Sequence, residues 1–224
     1  MLPPRAVSGK IVVIDPGHNG GNGAHTSQIN RKVDAGGFQK ECDTTGTATD
    51  NGYTESRFNL AVALKLAEEL RQAGATVVLT RSSDTDWGPC IDQRAAVGND
   101  AHADVAVSIH ADGGPTGGSG FHVIYPPATG LTEPIGPASK RLALDVRDSY
   151  ETATGLPRSS YLGVDGLDVR TDLGGLNLST VPKVFIECGN MRNVAEARLL
   201  TSDSFQTQAA EGIFEGLSRY LQGS

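Results

Sequence analysis

Residues 10–18, Lys-Ile-Val-Val-Ile-Asp-Pro-Gly-His, constrain the fold of this chain more than any other stretch. Ile11, Val12, Val13 and Ile14 are apolar without alternation, the pattern of a strand buried on both faces, and such strands belong to parallel sheets covered by helices on each side. Asp15, Pro16 and Gly17 are turn formers, so the spacing predicts that the strand stops at Ile14 and that His18 stands just beyond its carboxyl end. In open α/β sheets that edge is where ligands bind. Alone, His18 reads either as an ordinary loop histidine or as a site residue.

The same punctuation recurs downstream. Thr54 can cap a helix whose first turn holds Glu55 and whose apolar face is Leu60, Ala63, Leu64, Ala67 and Leu70, with Gly74 as its stop. Residues 75–80 read as a second strand, 91–100 as a helix, 104–109 as a third strand running into His110, and 121–125 as a fourth. A helix over 137–154, a buried strand over 183–188 ending at Glu187, the segment 194–200 and a helix from about residue 204 complete the series. This order predicts one α/β domain, with a twisted, mostly parallel central sheet and helices on both faces. At 224 residues the chain is long enough for one well-buried domain and short for two. The polar segment 19–52 follows neither period, apart from a hairpin suggested around Val33 and Phe38, and connections of that length are usually functional or mobile. Residues 155–180 are loop-rich, with short strands suggested near Val169.

A net charge of −7 and the lack of a Lys/Arg stripe argue against nucleic acid as a partner. No apolar run approaches the ~20 residues that cross a bilayer, so membrane insertion is not expected. The start, Met-Leu-Pro-Pro-Arg, lacks the features of a signal peptide, which leaves a cytosolic protein or one whose leader has been removed. None of the three cysteines lies in a C-x-x-C pair, which argues against a thiolate zinc site. Cys188, in an apolar run, reads as a small buried hydrophobe. Cys42 and Cys90 read either as a bridged pair or as two free loop thiols.

If the sheet is parallel through the strands that carry them, His18, His110 and Glu187 converge on one edge, and Glu55 reaches it if the long segment returns the chain there. Two imidazoles and a carboxylate are the ligands of a catalytic zinc that keeps a position open for water, and a free carboxylate can then act as general base. Each group also has a structural reading. Glu55 can simply complement a helix dipole, a matter of about 0.3–1 kcal/mol. Asn59, one turn on, can hydrogen-bond a liganding carboxylate or be solvated. Glu187, between Ile186 and Cys188 in a buried strand, needs a partner or a raised pKa. His25, His102 and His122 read as structural or exposed.

At these positions the chain resembles the zinc-dependent N-acetylmuramoyl-L-alanine amidases of the amidase-3 type, peptidoglycan autolysins. The matching segments are Ile14-Asp15-Pro16-Gly17-His18, Gly52-Tyr53-Thr54-Glu55 with Asn59, Thr80-Arg81 with Arg94, Ser108-Ile109-His110-Ala111, and Val184-Phe185-Ile186-Glu187 with Gly189-Asn190. The resemblance implies one Zn²⁺ held by His18, Glu55 and His110, with Glu187 as catalytic glutamate and Asn59, Arg94 and Asn190 as supporting residues. It implies hydrolysis of the amide between N-acetylmuramic acid and L-alanine in peptidoglycan or muramyl peptides. It also implies a monomeric catalytic domain over residues 10–222 behind a short tail, 1–9, acting in the periplasm, cell wall or medium after loss of a leader. In that compartment a Cys42–Cys90 disulfide is expected. Two departures stand out: the segment between His18 and Glu55 is longer than usual, and Cys188-Gly189-Asn190-Met191 replaces the usual ending after the glutamate. With no wall-binding repeat or plugging acidic helix, the chain reads as a stand-alone, open domain. The alternatives are a zinc exopeptidase acting on wall peptides and a non-catalytic peptidoglycan-binding domain.

Overall fold

The structure, a computed structural model, describes residues 6–223. Its central sheet has six strands: β1 (Ile11–Pro16), β4 (Thr76–Leu79), β5 (Val105–Asp112), β6 (His122–Tyr125), β7 (Leu167–Val169) and β8 (Lys183–Asn190), in the spatial order β4-β1-β5-β8-β6-β7. β4, β1, β5 and β8 are mutually parallel, and β6 runs antiparallel to β8 with β7 parallel to β6. The carboxyl ends of β1, β5 and β8 therefore lie on one edge, as the predicted topology requires. The segment 19–52 contributes a single helical turn, α1 (Thr26–Ile29), and the antiparallel hairpin of β2 (Lys32–Asp34) and β3 (Gln39–Glu41).

Strand alternation sends side chains to two different faces. Val12, Ile14, Val107, Ile109, Val184 and Ile186 enter the main core with α2 (Glu55–Gln72), α4 (Gly136–Thr154) and α7 (Asp203–Gln222). On the other face Val13 and Ala106 join a smaller core with Val97 of α3 (Ile91–Asp100). Two shorter helices, α5 (Gly174–Asn177) and α6 (Val194–Leu200), flank β8. Within the span expected as a tail, Val7 is buried in the main core and the Gly9 amide donates to the Gly74 carbonyl.

The strands overrun their predicted ends. β1 continues through Asp15 and Pro16, two of the three residues read as a turn. Pro16 lacks an N–H, and the ladder resumes one residue later, where the Gly17 amide donates to the Ile109 carbonyl at 3.0 Å. β5 and β8 likewise pass through His110 and Glu187, which are paired across the ladder. The two residues are thus mounted on rigid backbone inside the sheet, with a register shift following between His110 and Asp112.

Candidate active site

Local structure explains how each group reaches the edge. His18 follows β1 in the left-handed region, at φ 56°, a conformation uncommon for a non-glycine residue and concentrated at functional sites. Glu55 is the first residue of α2, whose N-cap Thr54 accepts a hydrogen bond from the Arg57 amide. The Thr47 amide donates to Glu55 Oε2 at 2.9 Å, so the returning segment holds the carboxylate directly. Gly46 lets this segment close in, because a Cβ there would stand 2.8 Å from both Glu55 Oε2 and the His18 ring.

Glu55 Oε1 lies 3.3 Å from His18 Nε2 and 2.9 Å from His110 Nδ1. The two imidazoles are perpendicular, with centroids 5.1 Å apart. One donor atom from each of His18, Glu55 and His110 falls within 4.8 Å of the others, so the three can hold a metal ion. The electrostatics favour a cation. Burial opposes charge on His18, but Glu55 and Asp43 outweigh it and push its pKa up to about 10. Burial likewise opposes ionisation of Glu55, yet His18 and His110 hold its pKa well below the usual carboxylate range.

The remaining ring nitrogens are held from behind. His18 Nδ1 lies 3.2 Å from Asp43 Oδ1 and 3.1 Å from the Thr44 carbonyl. His110 Nε2 lies 3.2 Å from Ser108 Oγ, which donates to Asp15 Oδ2 at 3.0 Å. Partners of this kind set the tautomer, leaving His18 Nε2 and His110 Nδ1 free to ligate. Arg94 bonds Asp15 at 2.8 Å and Asp43 at 3.1 Å and also donates to the His18 carbonyl. Lys183, only 1% exposed, reaches Asp15 Oδ2 at 3.3 Å. Burial works against an ionised Asp15, but Lys183 and Arg94 hold its pKa far below the usual range.

Cys42 and Cys90 form a disulfide, and Cys188 is free and buried. Cys90 is the N-cap of α3, so the bridge fastens the segment bearing Asp43 to the helix bearing Arg94. Asn59 donates to the Gly17 carbonyl at 3.1 Å and approaches Glu55 Oε1 only at 3.5 Å. Asn190 bonds the Pro115 and Gly118 carbonyls, so its amide organises the glycine-rich loop instead of the His18, Glu55 and His110 cluster. Arg81 donates to the Pro16, Gly17 and Ser56 carbonyls and ties the end of β1 to α2.

Glu187 lines a cavity of about 270 Å³ together with His18, Glu55, His110, Asp112 and residues 44–47. Burial, with the charges of Glu55 and Asp112, raises its pKa well above the ordinary value. Sequence reasoning missed Asp15, Asp43, Ser108 and Lys183. The available signal was a lysine opening an apolar strand, which demands a buried counter-ion. It also read His122 as structural or exposed. The residue is buried, and it pairs with Glu187 across β6 and β8.

Comparison with known proteins agrees with this geometry. Residues 12–219 match the family described as N-acetylmuramoyl-L-alanine amidase. The chain is similar to the N-acetylmuramoyl-L-alanine amidase Rv3717 of Mycobacterium tuberculosis, with 40% identity over 97% of this chain and 89% of the relative. Among solved structures, it superposes on the N-acetylmuramyl-L-alanine amidase Ami1 of Mycobacterium smegmatis with a TM-score of 0.91 at 39% identity, covering 97% and 99% of the two chains. Ami1 of Mycobacterium abscessus gives a TM-score of 0.90 at 44% identity, covering 96% and 100%.

Proposed function

This chain belongs to the N-acetylmuramoyl-L-alanine amidase family, and on that premise we propose that its edge cluster is the active site of a zinc-dependent peptidoglycan amidase. The reaction is hydrolysis of the amide joining the lactyl group of N-acetylmuramic acid to L-alanine, in the wall polymer or in muramyl peptides. The observation that carries this reading is the donor set His18, Glu55 and His110, with a separate carboxylate, Glu187, in register beside His110. Two nitrogens and one oxygen suit zinc and leave it a position free for water or substrate. A zinc ion held there supplies Lewis acidity, which acidifies water and stabilises negative charge developing on the scissile carbonyl.

The chain's own residues do the rest. Glu187, made more basic by burial, Glu55 and Asp112, takes a proton from the attacking water. As the carbon–nitrogen bond breaks, the same carboxyl gives that proton to the leaving nitrogen of L-alanine. Asp43 and Ser108 hold the histidine rings throughout. Residues 10–222 form the catalytic unit in this reading, which acts as a monomer outside the cytoplasmic membrane, where the Cys42–Cys90 bridge persists. Among the described residues no helix is long and apolar enough to cross a membrane.

The test is metal content together with product masses from muramyl dipeptide. One bound zinc and release of an intact dipeptide are expected. Free amino acids would make the protein an exopeptidase, and binding without products would make it a wall-binding domain. Glu187→Gln is expected to keep fold and zinc while turnover falls by at least about a hundredfold; a metal-loaded variant with near-normal turnover refutes the role of Glu187.

A further inference from the structure

Among the buried side-chain polar atoms of the described residues that lack a hydrogen-bond partner, four belong to Glu187 and its surroundings: Glu187 Oε2, Asp112 Oδ2, Tyr161 Oη and His122 Nδ1. They belong to neighbours. His122 lies directly across the β6–β8 ladder from Glu187. The His122 and Tyr161 rings meet edge-on, with centroids 6.4 Å apart. The Asp112 carboxylate stands beside the Tyr161 hydroxyl, and its charge also acts on Glu187. Interiors pair nearly all such atoms, directly or through ordered water. Here the inventory balances: two donors, the Tyr161 O–H and one His122 N–H, are matched in number by two carboxylate oxygens.

The surroundings are shaped to keep Tyr161 in this place. Its ring lies across Gly114 and Gly118, where a Cβ would come within 2.5 Å and 2.6 Å of it. Asn190 holds the same loop through the Pro115 and Gly118 carbonyls, which gives that amide a purpose one step removed from the chemistry. Both donors keep the required proton state. Burial and Asp112 raise the Tyr161 pKa, so the hydroxyl remains protonated, and burial lowers that of His122, which stays neutral with one N–H.

We propose that Tyr161 and His122 are positioning residues for Glu187, presenting O–H and N–H on the side of its carboxylate away from the metal-ligating groups. β8 lies between β5 and β6, so His110 and His122 flank Glu187 from opposite sides. One side supplies the metal-ligating cluster. The other fixes the rotation at which the carboxylate meets the attacking water, while Asp112, at the end of β5, stands beside the Tyr161 hydroxyl. A carboxylate that can swivel loses part of its advantage as a positioned base.

The inference rests on Glu187 being the proton acceptor. Tyr161→Phe keeps the ring over the two glycines and removes only the hydroxyl. Its kcat on muramyl dipeptide is expected to fall about tenfold, with KM within about twofold and zinc content and melting temperature unchanged. His122→Asn retains a donor near the Nδ1 position and is expected to keep several times more kcat than His122→Val. A merely structural role would move KM or stability and would not rank the two variants at position 122 by donor. Should the loop not tolerate Tyr161→Phe, the pair at position 122 decides. Unchanged kcat in Tyr161→Phe and His122→Val overturns the proposal. Glu187→Gln assayed alongside separates the failures: if it abolishes turnover while the others are silent, only this inference falls, and if it is active, the reading of the site falls.

Discussion

Arg94 is the residue on which both His18 and His110 depend for their orientation. It grips Asp15 with one nitrogen and Asp43 with another, and those carboxylates stand behind His110, through Ser108, and behind His18. The rings are thus oriented by one buried guanidinium. Asp43→Asn removes the charge that favours the His18 N–H while leaving the volume unchanged. Zinc affinity, measured by competition with a chelating dye, is expected to fall about 10- to 100-fold, with the fold intact. At this scale, residues punctuating a pattern were legible: His18, Glu55, His110 and Glu187 interrupt apolar strands or open a helix. The residues behind them were not. Asp15 wears the disguise of a turn, Asp43 lies in an aperiodic segment, and Ser108 is too small and common to stand out. Only the folded chain brings each against its partner.

Among the elements, the disulfide and the first turn of α3 act together. The bridge spans 48 residues of sequence and encloses the last part of the returning segment, residues 43–54, with Glu55 and α2. On the chain-entropy model a closed loop of that size stabilises by about 4 kcal/mol. The Cys42→Ser/Cys90→Ser double variant is expected to lose stability on that order in urea unfolding. Its zinc affinity should also drop, because Asp43 adjoins Cys42; a variant that loses stability but binds zinc normally would uncouple the bridge from the site. The strand and helix series was legible because buried strands and amphipathic helices write different periods. Their ends were less so. β1 runs on through Asp-Pro because ion pairs and a resumed ladder outweigh the local turn preference of those residues. The returning segment kept its path hidden, since its order comes from a cross-link and from contacts with groups far away in sequence.

Taken whole, the molecule carries excess negative charge, and one consequence is measurable at the back of the fold. Glu69 of α2 is half-buried near Glu211 and Glu215 of α7; burial first, and then those charges, push its pKa up to about 7 from an ordinary 4.5. A folded-state pKa above the unfolded one means that the native state holds its proton longer, so stability is lost as pH rises from about 4.5 through about 7. Allowing for solvent screening of a partly exposed group, the loss is roughly 1–2 kcal/mol. Glu69→Gln is therefore expected to raise the melting temperature at pH 8 and to leave it unchanged at pH 4. An equal gain at both would assign the effect to packing.

The donor groups at the opposite edge have a different consequence for the whole chain. They come from the end of one strand, the start of a helix and the middle of another strand, and Glu55 and His110 alone are 55 residues apart in sequence. Unfolding scatters them, so an ion shared among them is a removable rivet through three separate plates of the structure. Each tenfold excess of free ion over its dissociation constant tightens that rivet by about 1.4 kcal/mol. Scarcity of the ion would then silence such an enzyme and shorten its life at the same time, so that wall-cutting capacity persists only where the ion does.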